Sequence, residues 1–272
     1  MIETRTNSIT LCSFKNLMKQ KEICHFVTTR MNGCSLNPYG SLNLGFHVGD
    51  DPQAVVENRK QIANSMGIPL SNFITSKQVH GDHIEIISEN SRGCGSSDYE
   101  TAIVATDAMI TSVQNICLMV LVADCVPVLF FDVRKKIIGA VHAGWKGTVL
   151  RISQKTVMLM KDKFGSSGND ILVGIGPSIG PCCYQVDIAT IVKNNNDLKE
   201  KGEIVLHEKH DGKGYFDLWA TNKLQLIKLG IPEKNIETAN ICTSCNNSVF
   251  YSYRKENGKT GRFGVGIMLN NK

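Results

Sequence analysis

The stretch from Cys117 to Thr148 constrains the fold of this chain more than any other part of its sequence. It contains two apolar runs, Cys117–Val122 and Ile137–Val141, made almost entirely of valine, isoleucine, leucine, methionine and small residues. Continuous apolar runs of this length are typical of strands that are buried on both faces of a sheet. We therefore predict that both runs are central strands of an α/β fold.

A side chain that can bind a metal ion follows each apolar run. Cys125 comes shortly after the first run and His142 directly after the second, while a third run, Phe73–Val79, ends at His80. Ligand sites of open α/β sheets gather at the carboxyl ends of the strands. Two imidazoles and one thiolate suit a catalytic zinc site, which keeps its fourth position open. The sequence therefore predicts a zinc site formed by His80, Cys125 and His142.

The composition restricts the partners that we expect. The 272 residues carry a net charge of +5, spread along the chain, which favours a small anionic substrate such as phosphate and no nucleic-acid partner. The first ten residues are polar and lack the apolar core of a signal peptide. No apolar run approaches the roughly 20 residues that span a bilayer. We expect a cytoplasmic monomer without a membrane partner, whose ten cysteines are reduced.

Helix signals alternate with the strand signals. Pro52 stands where the first residue of a helix belongs, and Gly67 ends that predicted helix. A second helix is predicted to begin at Thr148 and a third to cover Leu218–Leu229. Because the sequence contains no internal repeat and no linker, we predict a single domain that comprises residues 1–272.

Three arginines are candidates for binding phosphate. Arg59 falls near the middle of the first predicted helix, whereas Arg254 and Arg262 lie in the closing segment of the chain. Guanidinium groups bind phosphate and carboxylate through paired hydrogen bonds. Most arginines in proteins are simply solvated, so the sequence alone makes each of them a weak signal.

The remaining cysteines and histidines give weaker signals still. Cys242 and Cys245 have CxxC spacing, but a structural zinc site needs a second pair at similar spacing. The adjacent residues Cys182 and Cys183 do not provide that spacing, so we expect reduced thiols near a loop. His47 has no partner that the sequence identifies, and we expect a solvated or locally hydrogen-bonded ring.

Four motifs together resemble a known family. They are Gln-Val-His-Gly at 78–81, Ala-Asp-Cys-Val-Pro-Val at 123–128, Val-His-Ala-Gly-Trp-Lys-Gly at 141–147 and Gly-Pro-Ser-Ile-Gly-Pro-Cys-Cys-Tyr at 176–184. The chain resembles the laccase-domain family, also called polyphenol oxidase-like or peptidoglycan editing factor-like, over about residues 24–269. The resemblance implies a single layered α/β domain with central β-sheets flanked by helices.

The same resemblance implies a function and a set of site residues. Members of this family are zinc-dependent purine nucleoside phosphorylases with adenosine deaminase and methylthioadenosine phosphorylase activity, so purine nucleosides and phosphate are the expected partners. His80, Cys125 and His142 match the zinc ligands. The matching positions expected to bind substrate or phosphate are Asn43, Arg59, Gln78, Arg254 and Arg262. Asp124 is the nearest carboxylate in sequence for proton transfer, but a strand neighbour of Cys125 would face away from it.

Three other functions remain open at this point. The family name suggests a copper phenol oxidase, although multicopper oxidation needs many histidines and this chain has seven, with no His-x-His pair. The editing-factor name suggests hydrolysis of a peptidoglycan precursor. The third possible function is a zinc-stabilised binding module without catalysis. Its zinc ion would have a fourth protein ligand instead of an open position.

Overall fold

Strands dominate the computed structural model, which describes residues 1–6, 9–192, 204–208 and 213–271. The strands are β1 (Ile2–Thr6), β2 (Ile9–Ser13), β3 (Ile23–Thr28), β4 (Phe73–Ile74), β5 (Ile84–Ile86), β6 (Ala108–Thr111), β7 (Cys117–Val122), β8 (Val126–Asp132), β9 (Ile137–Ala143), β10 (Ile171–Ile175), β11 (Gln185–Asp187), β12 (Leu206–Glu208), β13 (Lys213–Phe216), β14 (Ile236–Thr238) and β15 (Phe263–Leu269). The α-helices are α1 (Lys15–Met18), α2 (Pro52–Met66), α3 (Trp145–Val149), α4 (Ile152–Phe164), α5 (Ile188–Val192) and α6 (Leu218–Lys228).

Two six-stranded sheets form the centre of the fold. The first has the order β1-β2-β3-β15-β7-β4 and the second the order β14-β10-β8-β9-β6-β5, while β11, β13 and β12 form a small third sheet. Most neighbouring strands are antiparallel, including β7 with β15 and β8 with β9. We expected an open α/β sheet with its ligand site at the carboxyl ends of the strands. That expected topology is wrong, because these strands are antiparallel. The chain instead crosses from the first sheet to the second between Val122 and Val126.

Side-chain alternation along β7 and β8 shows how the layers pack. In β7, Leu118 and Val120 belong to a core cluster that they share with Leu129 of β8. Residues on the opposite face of β7, such as Met119, pack in a second cluster with Ile62 of α2. Phe130 of β8 turns away from the first sheet, into a cluster that includes residues of α4 and α6. The result is four layers, helix–sheet–sheet–helix, which confirms the predicted α/β fold class.

The helices follow their local signals closely, with one exception. Asp51 caps α2 by accepting the backbone N–H of Gln53, and Gly67 ends the helix in a left-handed conformation with φ 67°. The helix predicted to begin at Thr148 is instead two helices, because Arg151 between α3 and α4 adopts a left-handed conformation with φ 62°. Among the described residues, no helix is long and apolar enough to cross a membrane.

Candidate active site

Three metal-binding side chains meet where the two sheets adjoin. His80 lies in the loop that follows β4, Cys125 in the crossing from β7 to β8, and His142 within β9, one residue before its end. One ligand atom from each of the three lies within 4.8 Å of the others. The rings of His80 and His142 meet edge to face, with centroids 4.8 Å apart. The predicted His80, Cys125 and His142 group thus converges and could hold a metal ion.

Asp107 fixes the orientation of His142. Its carboxylate oxygen Oδ1 lies 2.7 Å from Nδ1 of His142, and both side chains are buried. The same carboxylate accepts the backbone N–H groups of Val79, His80 and Gly81 at 3.2, 3.0 and 2.8 Å. Because a histidine that ligates a metal usually donates its other N–H to a carboxylate, this arrangement leaves Nε2 of His142 for the metal.

The loop that carries His80 is held on its other side by Gln78. The Gln78 amide donates to the carbonyl of Leu121 at 2.8 Å and accepts the N–H of Leu121 at 2.8 Å. The strand predicted over Phe73–Val79 ends at Ile74, because the backbone of residues 75–77 leaves the sheet and hydrogen-bonds to the segment 94–106 instead. His80 itself has φ 60°, a left-handed conformation that non-glycine residues adopt at some energetic cost, often at functional sites.

The electrostatics of the group favour a thiolate. Burial raises the pKa of the Cys125 thiol, but His142 and His80 outweigh this effect and lower the pKa to about 6. Burial lowers the pKa of His142, whereas Cys125 and Asp107 raise it to about 9. Burial likewise opposes ionisation of Asp107, yet its contacts with His142 and the loop N–H groups hold its pKa below the usual value. A thiolate is the form of cysteine that binds metal ions.

The backbone beside the group leaves space that a side chain would fill. A Cβ atom on Gly144 would lie 3.0 Å from Sγ of Cys125 and 3.0 Å from Cδ2 of His80. Within the described ranges, the group contains three such donors and no fourth His, Cys, Asp or Glu. A set of three protein donors beside a cavity is the arrangement of a catalytic metal site, whereas structural zinc sites have four protein ligands.

A cavity of about 480 Å³ opens next to the three donors. Trp145, Tyr184 and Tyr253 line it, together with His47 and Gln78. The volume falls in the range of small-molecule sites, and aromatic walls with a few polar groups are typical of such sites. His47 lines the cavity and the residue remains exposed; desolvation at the cavity wall, followed by Arg262 and Arg59, lowers its pKa to about 4.

Asp124 faces the same cavity as Cys125. The expectation that it would point away from Cys125 is wrong, because residues 123–125 are not part of a strand and Asp124 has φ 86°. Its Oδ1 accepts the hydroxyl of Thr243 at 2.6 Å, and its Oδ2 accepts the backbone N–H of Arg254 at 2.7 Å. Asp124 thus connects the metal-binding group to the loop that carries Arg254.

Arg254 and Arg262 both reach the cavity. The Arg254 guanidinium lies over the ring of Tyr184 at 5.2 Å, and its Nη1 donates to the carbonyl of Gln185 at 3.2 Å. The Arg262 Nη1 donates to the carbonyls of Thr260 and Gly261 at 3.0 Å. These are the hydrogen bonds of the two guanidinium groups among the described residues, so Nε and Nη2 of each remain for an anion.

Arg59 lies outside the cavity, contrary to its expected role as a phosphate ligand. The side chain is 2% exposed and donates to the carbonyls of Leu44, Gly95 and Ser96. Burial lowers the pKa of its guanidinium to about 9. Its hydrogen bonds join helix α2 to two loops, which is a structural function.

Asn43 is also buried and does not line the cavity. Its Oδ1 accepts the backbone N–H of Arg262 at 2.8 Å, and its amide donates to Asp50 at 2.9 Å. Asn43 therefore does not reach the cavity, where a contact with substrate was expected, and instead positions the segment that carries Arg262. Gln78, in contrast, lines the cavity while it holds the His80 loop.

Sequence reasoning missed a second group of cysteines. Cys182, Cys183, Cys242 and Cys245 place their sulfur atoms within 4.8 Å of one another. The expectation that the adjacent pair could not complete a site with the CxxC pair is wrong, because the turn at Pro181–Cys183 directs both sulfur atoms toward the other loop. The CxxC spacing was the signal that could have identified it.

The layered fold, with three donors that could hold a metal ion beside a cavity, is the arrangement of an α/β enzyme. The sequence comparisons agree, because residues 24–270 match the family model described as multi-copper polyphenol oxidoreductase laccase. The chain belongs to this family, as its resemblance to the laccase-domain proteins predicted.

Two similar proteins and one solved structure illustrate the relationship. The purine nucleoside phosphorylase YlmD of Geobacillus stearothermophilus is 37% identical over 236 residues, which is 87% of this chain and 86% of that protein. Adenosine deaminase RL5, from an unknown prokaryotic organism, is 32% identical over 89% of this chain and 92% of its own length. The crystal structure of YlmD from Geobacillus stearothermophilus has a TM-score of 0.91 and 33% identity, with coverage of 100% and 98%.

Proposed function

We propose that this protein is a zinc-dependent purine nucleoside phosphorylase that also deaminates adenosine. One observation carries the proposal: a nucleoside-sized cavity is lined both by the His80, Cys125 and His142 donors and by the guanidinium groups of Arg254 and Arg262. The named activities of similar proteins, a purine nucleoside phosphorylase and an adenosine deaminase, support the choice of substrate.

The donor set supports zinc as the resident metal. Cys125 offers a soft thiolate, and Asp107 on Nδ1 leaves Nε2 of His142 available. Two imidazoles and one thiolate suit zinc better than the multiple centres of a copper oxidase. Zinc in such a site activates water and polarises substrate oxygens.

In phosphorolysis, a phosphate oxygen forms a bond to C1′ of the ribose while the bond from C1′ to the purine nitrogen breaks. We assign the binding of phosphate to Arg254 and Arg262, whose free guanidinium nitrogens border the cavity. Fixed positive charge beside the anomeric carbon stabilises the transferring anion without reorganisation. Tyr184, Tyr253 and Trp145 supply aromatic surface against which a purine stacks.

In deamination, water adds to C6 of adenine and the amino group leaves as ammonia. This exchange needs a group that carries a proton from the water to the leaving nitrogen. Asp124 is the carboxylate among the described residues that line the cavity, and we assign proton transfer to it.

The experiment is chromatography of adenosine, inosine and methylthioadenosine after incubation with the purified protein, with and without phosphate. We expect free base and ribose 1-phosphate (5-methylthioribose 1-phosphate from methylthioadenosine) only with phosphate, and inosine from adenosine in both conditions. Base release at the same rate without phosphate would indicate a hydrolase. No turnover of any nucleoside would favour the peptidoglycan-precursor hydrolase or the non-catalytic zinc module.

A further inference from the structure

The four-cysteine group formed by Cys182, Cys183, Cys242 and Cys245 lies apart from the His80, Cys125 and His142 donors. Cys182 and Cys183 belong to the turn that follows β10, and Cys242 and Cys245 to the turn that follows β14. These segments are about sixty residues apart in sequence, yet the four sulfur atoms lie within 4.8 Å of one another. We propose that this group is a second metal site, which binds one zinc ion through four thiolates.

The sulfur separations suit a single ion. Sγ of Cys245 lies 3.6 Å from Sγ of Cys182 and 3.4 Å from Sγ of Cys183. Four sulfurs around one zinc at about 2.3 Å in a tetrahedron are about 3.8 Å from each other. An iron–sulfur cluster spreads its cysteines around several irons and sulfides, which needs a wider cage than 4.8 Å. A single tetrahedral ion of a thiophilic metal therefore fits.

A backbone N–H group already points at one of the sulfurs. Sγ of Cys242 accepts the N–H of Gly180 at 3.2 Å. Such N–H groups stabilise a thiolate relative to a thiol, because a hydrogen bond to the charged form favours it. A Cβ atom on Gly180 would lie 3.2 Å from Cβ of Cys242 and 2.6 Å from Trp219, so a glycine is needed for this close approach.

Exposure allows a metal ion to enter the group. Cys182 and Cys245 are exposed, Cys183 is half-buried and Cys242 is buried. All four cysteines are free thiols in the structure, and one metal ion would engage all four. Softness also favours zinc over hard cations, because thiolates select soft and borderline metals.

The position of the group gives the second ion a structural function. The two turns are also joined by backbone hydrogen bonds from Ser178 to Ile241 and from Thr243 to Ser178. Both turns contact Asp124: Thr243 donates to its carboxylate, and Ile179 donates its N–H to its carbonyl. A metal ion that cross-links the turns would therefore hold the cavity wall around Asp124.

The test uses the full chain carrying Cys125→Ala, which removes the sulfur donor of the three-donor group. Cobalt(II) is added to the metal-free, reduced protein and followed by visible and near-ultraviolet absorption. We expect one cobalt per chain with the intense charge-transfer band of a tetrahedral thiolate complex, displaced by added zinc. The band should be lost when Cys245→Ser is combined with Cys125→Ala. It should persist with Cys34→Ser, which alters an exposed cysteine outside the group.

X-ray absorption at the zinc edge keeps the test decisive if the Cys245→Ser chain does not fold. For zinc-loaded Cys125→Ala we expect a shell of sulfur atoms at about 2.3 Å without nitrogen, whereas zinc held by His80 and His142 would show nitrogen. A reduced Cys125→Ala protein with no thiolate band, or one whose zinc is bound only by nitrogen and oxygen, would overturn the proposal. Neither result depends on catalytic activity, so the phosphorylase proposal stands or fails separately.

Discussion

The carboxylate of Asp107 lies 2.7 Å from Nδ1 of His142, and both residues are buried. The same carboxylate binds the backbone of His80 and its two neighbours. One side chain thus orients the ring of one proposed ligand and fixes the loop of another. The geometry of the proposed metal site would therefore depend on a residue outside the three donors.

The first prediction concerns Asp107→Asn. The substitution removes the charge that faces His142 and sets an N–H₂ group against backbone N–H donors. Because such partners typically contribute 10- to 100-fold to metal affinity, we expect zinc affinity to fall by about that factor. Competition with a chromophoric chelator measures it. Asp82→Asn, at an exposed residue paired with Lys155, is the matched control, and equal affinities in the two variants would contradict the assignment.

The second prediction concerns Arg262→Ala. A charge-assisted hydrogen bond contributes roughly 1.5–3 kcal/mol, so we expect kcat/KM for phosphate to fall about 10- to 100-fold. Deamination should change far less, because it does not use phosphate. Initial rates at varied phosphate concentration measure the effect, and Arg134→Ala at an exposed arginine serves as control. An equal loss of both activities would show that Arg262 binds the nucleoside.

The third prediction separates Arg59 from the two cavity arginines. Arg59→Ala leaves the buried carbonyls of Leu44 and Ser96 without this donor, while the Gly95 carbonyl keeps only the Thr75 hydroxyl. We therefore expect the free energy of unfolding to fall by about 3 kcal/mol or more. Urea denaturation measures it. Lys60→Ala, one residue further along the same helix and exposed, should change stability by at most about 0.5 kcal/mol. A stable Arg59→Ala protein with weakened phosphate binding would restore the original expectation for Arg59.

The fourth prediction tests proton transfer by Asp124. An asparagine there can accept the N–H of Arg254 through its oxygen and donate to Thr243 through its nitrogen, so it keeps both contacts. It cannot carry a proton. We therefore expect Asp124→Asn to lose about 100-fold or more of the deaminase rate while thermal stability and zinc content are kept. A deaminase rate equal to the unmodified protein, with loss only in Asp124→Ala, would make Asp124 a positioning residue.

The fifth prediction concerns stability at low pH. Burial lowers the pKa of His25 to about 4, against an ordinary value of 6.5, and its Nε2 accepts the N–H of Phe14. The unfolded chain binds a proton at this residue as the pH falls below 6.5, but the folded chain does not until about 4. Stability is therefore full above pH 6.5 and falls by up to about 3 kcal/mol toward pH 4.

The control for this prediction is His25→Gln, which keeps an acceptor for Phe14 but does not titrate. Urea unfolding of both proteins at pH 7 and pH 4.5 gives the comparison. Loss of metal at low pH affects both proteins equally, so the difference between their slopes isolates His25. Parallel slopes would show that His25 is not neutral in the folded protein.

The elements with strong local signals were predictable from the sequence. Strand β7 has the predicted bounds Cys117–Val122, and α2 begins and ends at the predicted residues. In both cases the information is local, because an unbroken apolar run or a cap with proline and glycine specifies the element without distant partners. The convergence of His80, Cys125 and His142 followed from motifs that the chain shares with its family.

Other features depend on contacts between distant segments and could not be read from the sequence. Asp107 has no motif of its own, and only the pairing of β6 with β9 brings it to His142. The sequence around Arg59 does not show whether its side chain lines a cavity or donates to three backbone carbonyls. The two cysteine pairs meet because β10 and β14 are parallel neighbours, which no spacing rule reveals.

The crossing between the two sheets gives metal binding a wider consequence. His80 follows a strand of the first sheet, His142 belongs to the second, and Cys125 lies on the segment that joins them. An ion held by all three would cross-link the two sheets. Its binding free energy would therefore stabilise the packing of one sheet against the other. Substitutions in the shared core, such as Leu129→Ala, should therefore weaken metal affinity without touching a ligand.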